Sequence, residues 1–321
     1  LLSEELTKIL ACPLDRRDVR VKDETLICDG GHVFPIENGI PIFTDAVRRE
    51  AVPKNMGPVR SDPNQDGIVD AFVNDWLVNT NGNLYRRARG KLKRYPIPVW
   101  PLPPGTGQIV LDVGCSWGRW SIAAARAGFA PIGLDVHIDA LAAAGRASRQ
   151  LGVNAIFVCG DIEALPLPAK SVDVVFSYSV LQHIDRLKVG RFFEEVARVL
   201  KPGGVCLVQL PNAYGIYSVI RQAKRGFRDA ATGTFEMRYW THAGIRRAIE
   251  KAGLRNLQFS ADGFFSQDPQ LSDLDLLSPA GKLIVVASHA GRKAANILPV
   301  LTRVADSLWV RAQSSEDSSS F

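Results

Sequence analysis

The residues best placed to do chemistry lie in three short stretches. IVLDVGCSWGRW (109–120) sets Asp112 ahead of Gly114 and Gly118, GLDV (133–136) holds Asp135, and CGDIEALPLP (159–168) holds Asp161 followed by apolar Ile162. Glycines between an apolar run and an alanine-rich segment let the backbone turn sharply and come close to a ligand. Backbone N–H groups at the start of the helix that follows suit a carboxylate or phosphate. A strand-end carboxylate at Asp135 can accept hydrogen bonds from both ribose hydroxyls of an adenosine, and Asp161 with Ile162 can bond its adenine amino group and cover its ring. One strand-end aspartate alone is often a helix cap. A glycine turn and two such carboxylates, in order after successive strands, form a constellation. The nicotinamide-dinucleotide fingerprint G-x-G-x-x-G is not met, because Gly114 and Gly118 have no glycine between them. Ser116 stands between them, and it fits the turn if its backbone keeps a negative φ.

These residues need strands and helices to position them. Ile109, Val110, Leu111 and Val113 read as a strand buried on both faces, the signature of a parallel sheet. Beyond it strands alternate with helices: PIGLDV (131–136), AIFVCGD (155–161), VDVVFSYSV (172–180), the helix RFFEEVARVLK, then GVCLVQLP (204–211). HAGIRRAIEKAG (242–253) reads as a helix and NLQFSADGFF as a strand, paired antiparallel with KLIVVAS (282–288); residues 292–311 read as an amphipathic helix with Leu301, Val304 and Leu308 on one face. The expected fold is α/β: a doubly wound, mainly parallel seven-stranded sheet with an antiparallel last strand, plus a small N-terminal β-rich ribbon. The expected organisation is a ribbon at 1–45, a helical and proline-rich connector at 46–104, a ligand-binding domain at 105–290, and a C-terminal amphipathic helix and disordered tail at 291–321.

Composition narrows the class. The 321 residues are 46% hydrophobic and 22% charged, which argues for a globular chain. A net charge of +6 only mildly favours an anionic partner. Five cysteines (Cys12, Cys28, Cys115, Cys159, Cys206) are an odd number, and the last three fall in core strands or the glycine turn, which suits a reducing compartment. No apolar run approaches the ~20 residues of a membrane span, and LLSEELTKIL reads as an amphipathic helix start rather than a signal peptide. The expectation is a cytoplasmic protein.

VLDVGCSWGRW, GLDV, CGDIEALPLPAKSVDVVFSYSVLQHI and EEVARVLKPGGVCLVQLPN resemble the successive motifs of class I S-adenosylmethionine-dependent methyltransferases, especially the ubiquinone/menaquinone-methyltransferase-like branch. The resemblance covers about residues 108–212, and the Lys201–Gly204 turn is its most telling part. It implies S-adenosylmethionine as cofactor, with Asp112, Gly114 and Gly118 around the methionine part, Asp135 on the ribose, and Asp161 with Ile162 on the adenine. Cys115 and Ser177 complete the implied cofactor set.

The acceptor is expected beyond the carboxyl ends of the strands, near Ser177, Tyr178, Gln182, His183, Asn212 and Tyr214. His183 is the candidate general base, because its ordinary pKa lies near neutrality; capping or packing of the next helix is the competing role. FEMRYW (235–240) reads as an aromatic lid or as core. No Asp/Asn-Pro-Pro-Tyr/Phe follows the fourth strand, and no cysteine stands where a cytosine-C5 enzyme places its nucleophile. A small-molecule, lipid or glycan acceptor follows, with a hydroxyl favoured. RNA is the alternative, on the basic cluster of Arg86, Arg87, Arg89, Lys91, Lys93 and Arg94; a non-catalytic, cofactor-binding partner protein is the third reading.

The first 45 residues resemble the zinc-ribbon family of methyltransferase activators. Those ribbons often hold zinc with two C-x-x-C pairs. Here the pairs read Cys12-x-x-Asp15 and Cys28-x-x-Gly31, with His32 one place out of register. No bound metal is expected on that count, and Ile27, Val33, Phe34, Ile36, Ile40 and Ile42 are expected to hold the ribbon by packing.

Overall fold

The computed structural model describes residues 7–48, 69–80, 92, 94–265 and 270–316. Most of the basic cluster lies outside the described residues; Arg94 alone of the six lies within them. The chain divides into two units, 1–173 and 174–321.

The first unit opens with a four-stranded antiparallel sheet, β1 (Val19–Lys22), β2 (Thr25–Cys28), β3 (Val33–Glu37) and β4 (Ile40–Pro41). Short strands at this spacing bury Val19, Leu26, Cys28, Phe34, Ile40 and Pro41, too little for an independent core. The ribbon leans on its neighbour instead. Ile40 and Ile42 join Ile138, Leu141, Phe157 and Cys159 in one apolar cluster, and Phe43 N–H donates to the Cys159 carbonyl at 2.8 Å. Helix α1 (Ala71–Thr80) follows. Asp70, just before it, is fixed by Arg146 at 2.8 Å, a nearly buried ion pair with two further guanidinium contacts at 3.1 Å.

Strand β5 (Ile109–Val113), helix α2 (Arg119–Arg126), β6 (Ala130–Asp135), α3 (Ile138–Gln150) and β7 (Ile156–Cys159) carry the motifs. The strands are parallel, with Asp112 opposite Gly133 and Asp135 opposite Cys159. Burial on both faces explains the unbroken apolar runs.

The large sheet has seven strands in the order β10-β11-β9-β8-β5-β6-β7, where β8 is Val172–Tyr178. In the second unit, α4 (Arg186–Val199) leads into β9 (Leu200–Pro211), then α5 (Ile216–Lys224), α6 (His242–Lys251), β10 (Arg255–Gly263), α7 (Pro279–Ile297) and β11 (Ser307–Gln313). Phe192, Phe193, Val196, Val208, Leu210, Ile245, Ile249 and Leu308 are all buried here. Strand β11 is antiparallel to β9, with Val310 opposite Val208, and to β10, with Leu308 opposite Ala261.

The doubly wound sheet with an antiparallel strand is as the sequence implies, but that strand is a different segment. Residues 282–288 lie inside α7, not in a strand. The helix expected over 292–311 stops at Ile297, gives way to a 3-10 turn (Pro299–Val304), and is followed by β11. Ser278 caps α7 by accepting from Gly281 N–H at 3.3 Å, and Pro279 opens its first turn, two start signals that outweigh a β-branched run. The boundary expected at 290 therefore falls within a helix. Among the described residues no helix is long and apolar enough to cross a membrane.

Candidate active site

The turn between β5 and α2 is built on left-handed backbone. Gly114 has φ 72°, Ser116 φ 50° and Gly118 φ 79°. A side chain at Gly118 would also meet Ala144 Cβ at 3.0 Å and the Phe157 ring at 3.2 Å, so glycine is required there twice over. Ser116 corrects the sequence reading: it takes a positive φ, at a cost of about 1–2 kcal/mol for an L-residue. Two hydrogen bonds hold it. Its N–H donates to Asp135 Oδ2 at 2.9 Å, and its hydroxyl accepts from Trp76 Nε1 at 3.3 Å. Gly114 and Cys115 N–H both donate to the Leu134 carbonyl, at 2.7 and 3.1 Å, which ties the turn to the end of β6.

Asp135 is fixed from two sides, by Ser116 and by His137 N–H on Oδ1 at 2.9 Å. Burial raises its pKa, and the two N–H donors work against that rise. Each oxygen retains acceptor capacity for a hydroxyl donor. Beside it, His137 Nδ1 is buried with no hydrogen-bond partner. Gly160 N–H bonds the Asp135 carbonyl at 3.1 Å, and this links the carboxylate to the next loop, where Asp161 Oδ1 accepts from Glu163 N–H at 3.0 Å and Ile162 is buried. The structure thus brings Gly114, Cys115, Gly118, Asp135, Asp161 and Ile162 onto the adjoining ends of β5, β6 and β7.

Asp112 is placed differently. It is 1% exposed, and its Oδ2 accepts from the Ser121 hydroxyl of α2 at 2.6 Å. Burial, with the Asp135 charge adding to it, pushes its pKa up to about 7. This carboxyl staples strand to helix and lies under the turn. The Cys115 thiol is also buried, and burial lifts its pKa well above the ordinary value.

In the second unit, Ser177 is fully buried near the end of β8. His183 closes a 3-10 turn (Leu181–His183). Its ring stacks on Phe235 with centroids 4.0 Å apart, and its Nδ1 lies 3.0 Å from the Phe235 carbonyl. Only a protonated Nδ1 can make that bond, which leaves Nε2 as an acceptor. Desolvation lowers the His183 pKa, the Phe235 hydrogen bond opposes this, and the Arg238 charge lowers it further. The buried Arg238 pairs with Asp185 and donates to the Ala231 carbonyl at 2.7 Å, so residues 231–238 are anchored to the turn that bears His183. Tyr239 and Trp240 are buried core residues. Asn212 spends both amide protons on the Arg303 and Ala305 carbonyls, a structural duty.

Sequence reasoning missed Asp262. It is buried at the end of β10, where Oδ2 accepts from Gln209 Nε2 and Ser307 Oγ, both at 3.0 Å, while Oδ1 is without a partner. Its only sequence signal is an aspartate inside a strand-like run. Cys12, Asp15, Cys28 and His32 bring one donor atom each within 4.8 Å of one another, so His32 is in register after all: Gly31, at φ 88°, folds the chain back and delivers the histidine.

Residues 110–204 match the family described as methyltransferase domain. Over these residues the chain is similar to methyltransferase domains. The chain is 31% identical over 150 residues to a biotin-biosynthesis bifunctional protein of Cellvibrio japonicus, covering 47% of this chain and 28% of that one. It is 29% identical over 159 residues to a ubiquinone-biosynthesis O-methyltransferase of Coxiella burnetii, covering 48% and 66%. It is 39% identical over 102 residues to a malonyl-[acyl-carrier protein] O-methyltransferase of Yersinia pestis, covering 32% and 36%. The chain therefore spans less than two thirds of the length of these curated relatives.

Proposed function

We propose that the chain methylates a hydroxyl of a small-molecule, lipid or glycan acceptor, with His183 as the general base. The sulfonium of S-adenosylmethionine supplies an already activated methyl group. The protein's task is then alignment and removal of one proton. In this reading Asp135 holds the ribose, Asp161 and Ile162 the adenine, and the glycine turn, with Cys115 and Ser177, the remainder of the cofactor. As the acceptor oxygen takes the methyl, its proton passes to His183 Nε2, and S-adenosylhomocysteine leaves.

The observation that carries the reading is the Phe235 carbonyl on His183 Nδ1 at 3.0 Å, which leaves the lone pair on Nε2. Two of the relatives, the ubiquinone-biosynthesis and malonyl-[acyl-carrier protein] enzymes, are themselves O-methyltransferases, which favours oxygen as the acceptor atom.

A labelled-donor screen against hydroxylated small molecules, lipids, glycans and RNA tests it. His183→Ala should lower turnover by about 10²–10⁴-fold and leave the affinity for S-adenosylhomocysteine unchanged. Because the His183 pKa is lowered, kcat/KM should stay level through neutral pH and fall only below the ordinary histidine value, 6.5. A rate that is insensitive to His183→Ala removes the base. Transfer to RNA alone replaces the acceptor class, and transfer that appears only with a second protein turns the chain into a partner subunit.

A further inference from the structure

The ribbon holds a constellation that the cofactor reading does not use. Cys12 Sγ and Cys28 Sγ lie 3.5 and 3.3 Å from His32 Nδ1. Asp15 Oδ2 lies 3.5 Å from Cys28 Sγ and 3.4 Å from His32 Nδ1. A tetrahedral ion with metal–sulfur bonds of about 2.3 Å and metal–nitrogen or metal–oxygen bonds of about 2.0–2.2 Å separates its ligands by about 3.3–3.8 Å. All four spacings match that edge length.

The surrounding backbone holds the donors in place. Gly30 and His32 N–H both donate to Cys28 Sγ at 3.3 Å, an arrangement that suits a thiolate. Arg17 N–H takes Asp15 Oδ1 at 3.1 Å and turns Oδ2 toward the sulfurs. A Cβ at Gly30 would fall 1.9 Å from Asp15 Oδ2, so a glycine there leaves room for the carboxylate. Two thiols, an imidazole and a carboxylate satisfy one another poorly, since a thiol is a weak donor. They satisfy a soft-to-borderline cation well.

The same turn grips the loop after β7. Arg16 N–H closes onto the Cys12 carbonyl at 2.9 Å, and Ala11 N–H donates to the Pro166 carbonyl at 3.0 Å. Arg16 Nη1 donates to the Leu165 carbonyl at 3.3 Å. At the other end, Phe43 N–H holds the Cys159 carbonyl at 2.8 Å. Residues 159–166, which include Asp161 and Ile162, are thus suspended between two anchors on the ribbon.

We propose that Cys12, Asp15, Cys28 and His32 bind one divalent ion of the zinc class, and that this ion, by fixing the turn at 12–17, holds the 161–167 loop in the shape that receives adenine. The second half rests on the cofactor reading given above. The expected donor set is two thiolates, one imidazole and one carboxylate, and the ion's role is remote from the chemistry.

The test begins with elemental analysis of protein purified without chelator. One zinc per chain is expected, and none in the Cys28→Ser/His32→Ala double variant. Cobalt(II) exchanged into the site should give the absorption of a tetrahedral thiolate complex. Calorimetry with S-adenosylhomocysteine should then show affinity at least about fivefold weaker after chelation, restored by added zinc. Arg16→Ala leaves the ligands untouched and should keep its zinc while losing affinity in the same direction. Zinc-free wild-type protein that also fails to take up cobalt overturns the site. Full metal with unchanged affinity in both the chelated protein and Arg16→Ala overturns the brace. Asp135→Ala in metal-loaded protein separates the two readings: normal S-adenosylhomocysteine binding there defeats the cofactor assignment, while the metal content stands by itself.

Discussion

At the scale of single residues, Ser116 shows how much the glycine turn constrains its occupant. Its φ of 50° places a Cβ where the backbone resists one, yet its N–H to Asp135 and its hydroxyl to Trp76 hold it there. Ser116→Ala gives up the Trp76 contact and keeps the strain, so it should lose about 1 kcal/mol of stability. Ser116→Gly gives up the same contact and releases the strain. Urea unfolding should therefore rank the glycine variant above the alanine variant by about 1 kcal/mol; the reverse order would show that the turn is not strained. The sequence showed which residues stand at the turn, but not the sign of this φ, because Ser116 is held by Asp135 and Trp76, which meet the turn only after β6 and α1 are in place. The Ser121 partner of Asp112 is hidden from the sequence for a similar reason. The spacing of Asp112 is that of a ligand-facing carboxylate, and only the packing of α2 brings Ser121 to it.

At the scale of elements, legibility followed periodicity. Strands β5 to β9 were readable because burial on both faces leaves unbroken apolar runs bounded by glycine or polar residues. Helices α4 and α6 were readable because each has one apolar stripe, Phe192, Phe193 and Val196 in one and Ile245 and Ile249 in the other. Helix α7 shows no such stripe in its sequence. It buries Val285 against its own unit, yet Leu283, Ile284 and Val286 are exposed, so KLIVVAS has no polar face to reveal a period of 3.6. Its identity is set at its start, by Ser278 and Pro279. Ser278→Ala should cost about 1 kcal/mol, read as a lower denaturant midpoint with an unchanged slope; no shift in the midpoint would mean that packing alone specifies this helix. In the ribbon, the motif spacing counted two C-x-x-C pairs and found both broken, whereas the fold counts donor atoms around a point.

At the scale of the whole molecule, the order of the strands in space differs from their order in time. Strand β11 lies between β9 and β10 and pairs with both. A chain is made from its N-terminus, so β9 and β10 exist, each with an open edge, before Ser307–Gln313 has been synthesised. Those edges carry buried apolar residues such as Val208, Leu210 and Ala261, and an uncovered apolar edge recruits other strands. A chain ending at Ala305 should therefore be found in aggregates or with chaperones, while one ending at Glu316 should sediment and elute as the 321-residue chain does. A monodisperse, folded product from the shorter chain would show that β9 and β10 can close on each other. If the shorter chain fails, the sheet is closed by a strand that is made after both of its neighbours, and a chain cut before Ser307 is left with two apolar edges open to chaperones and proteases.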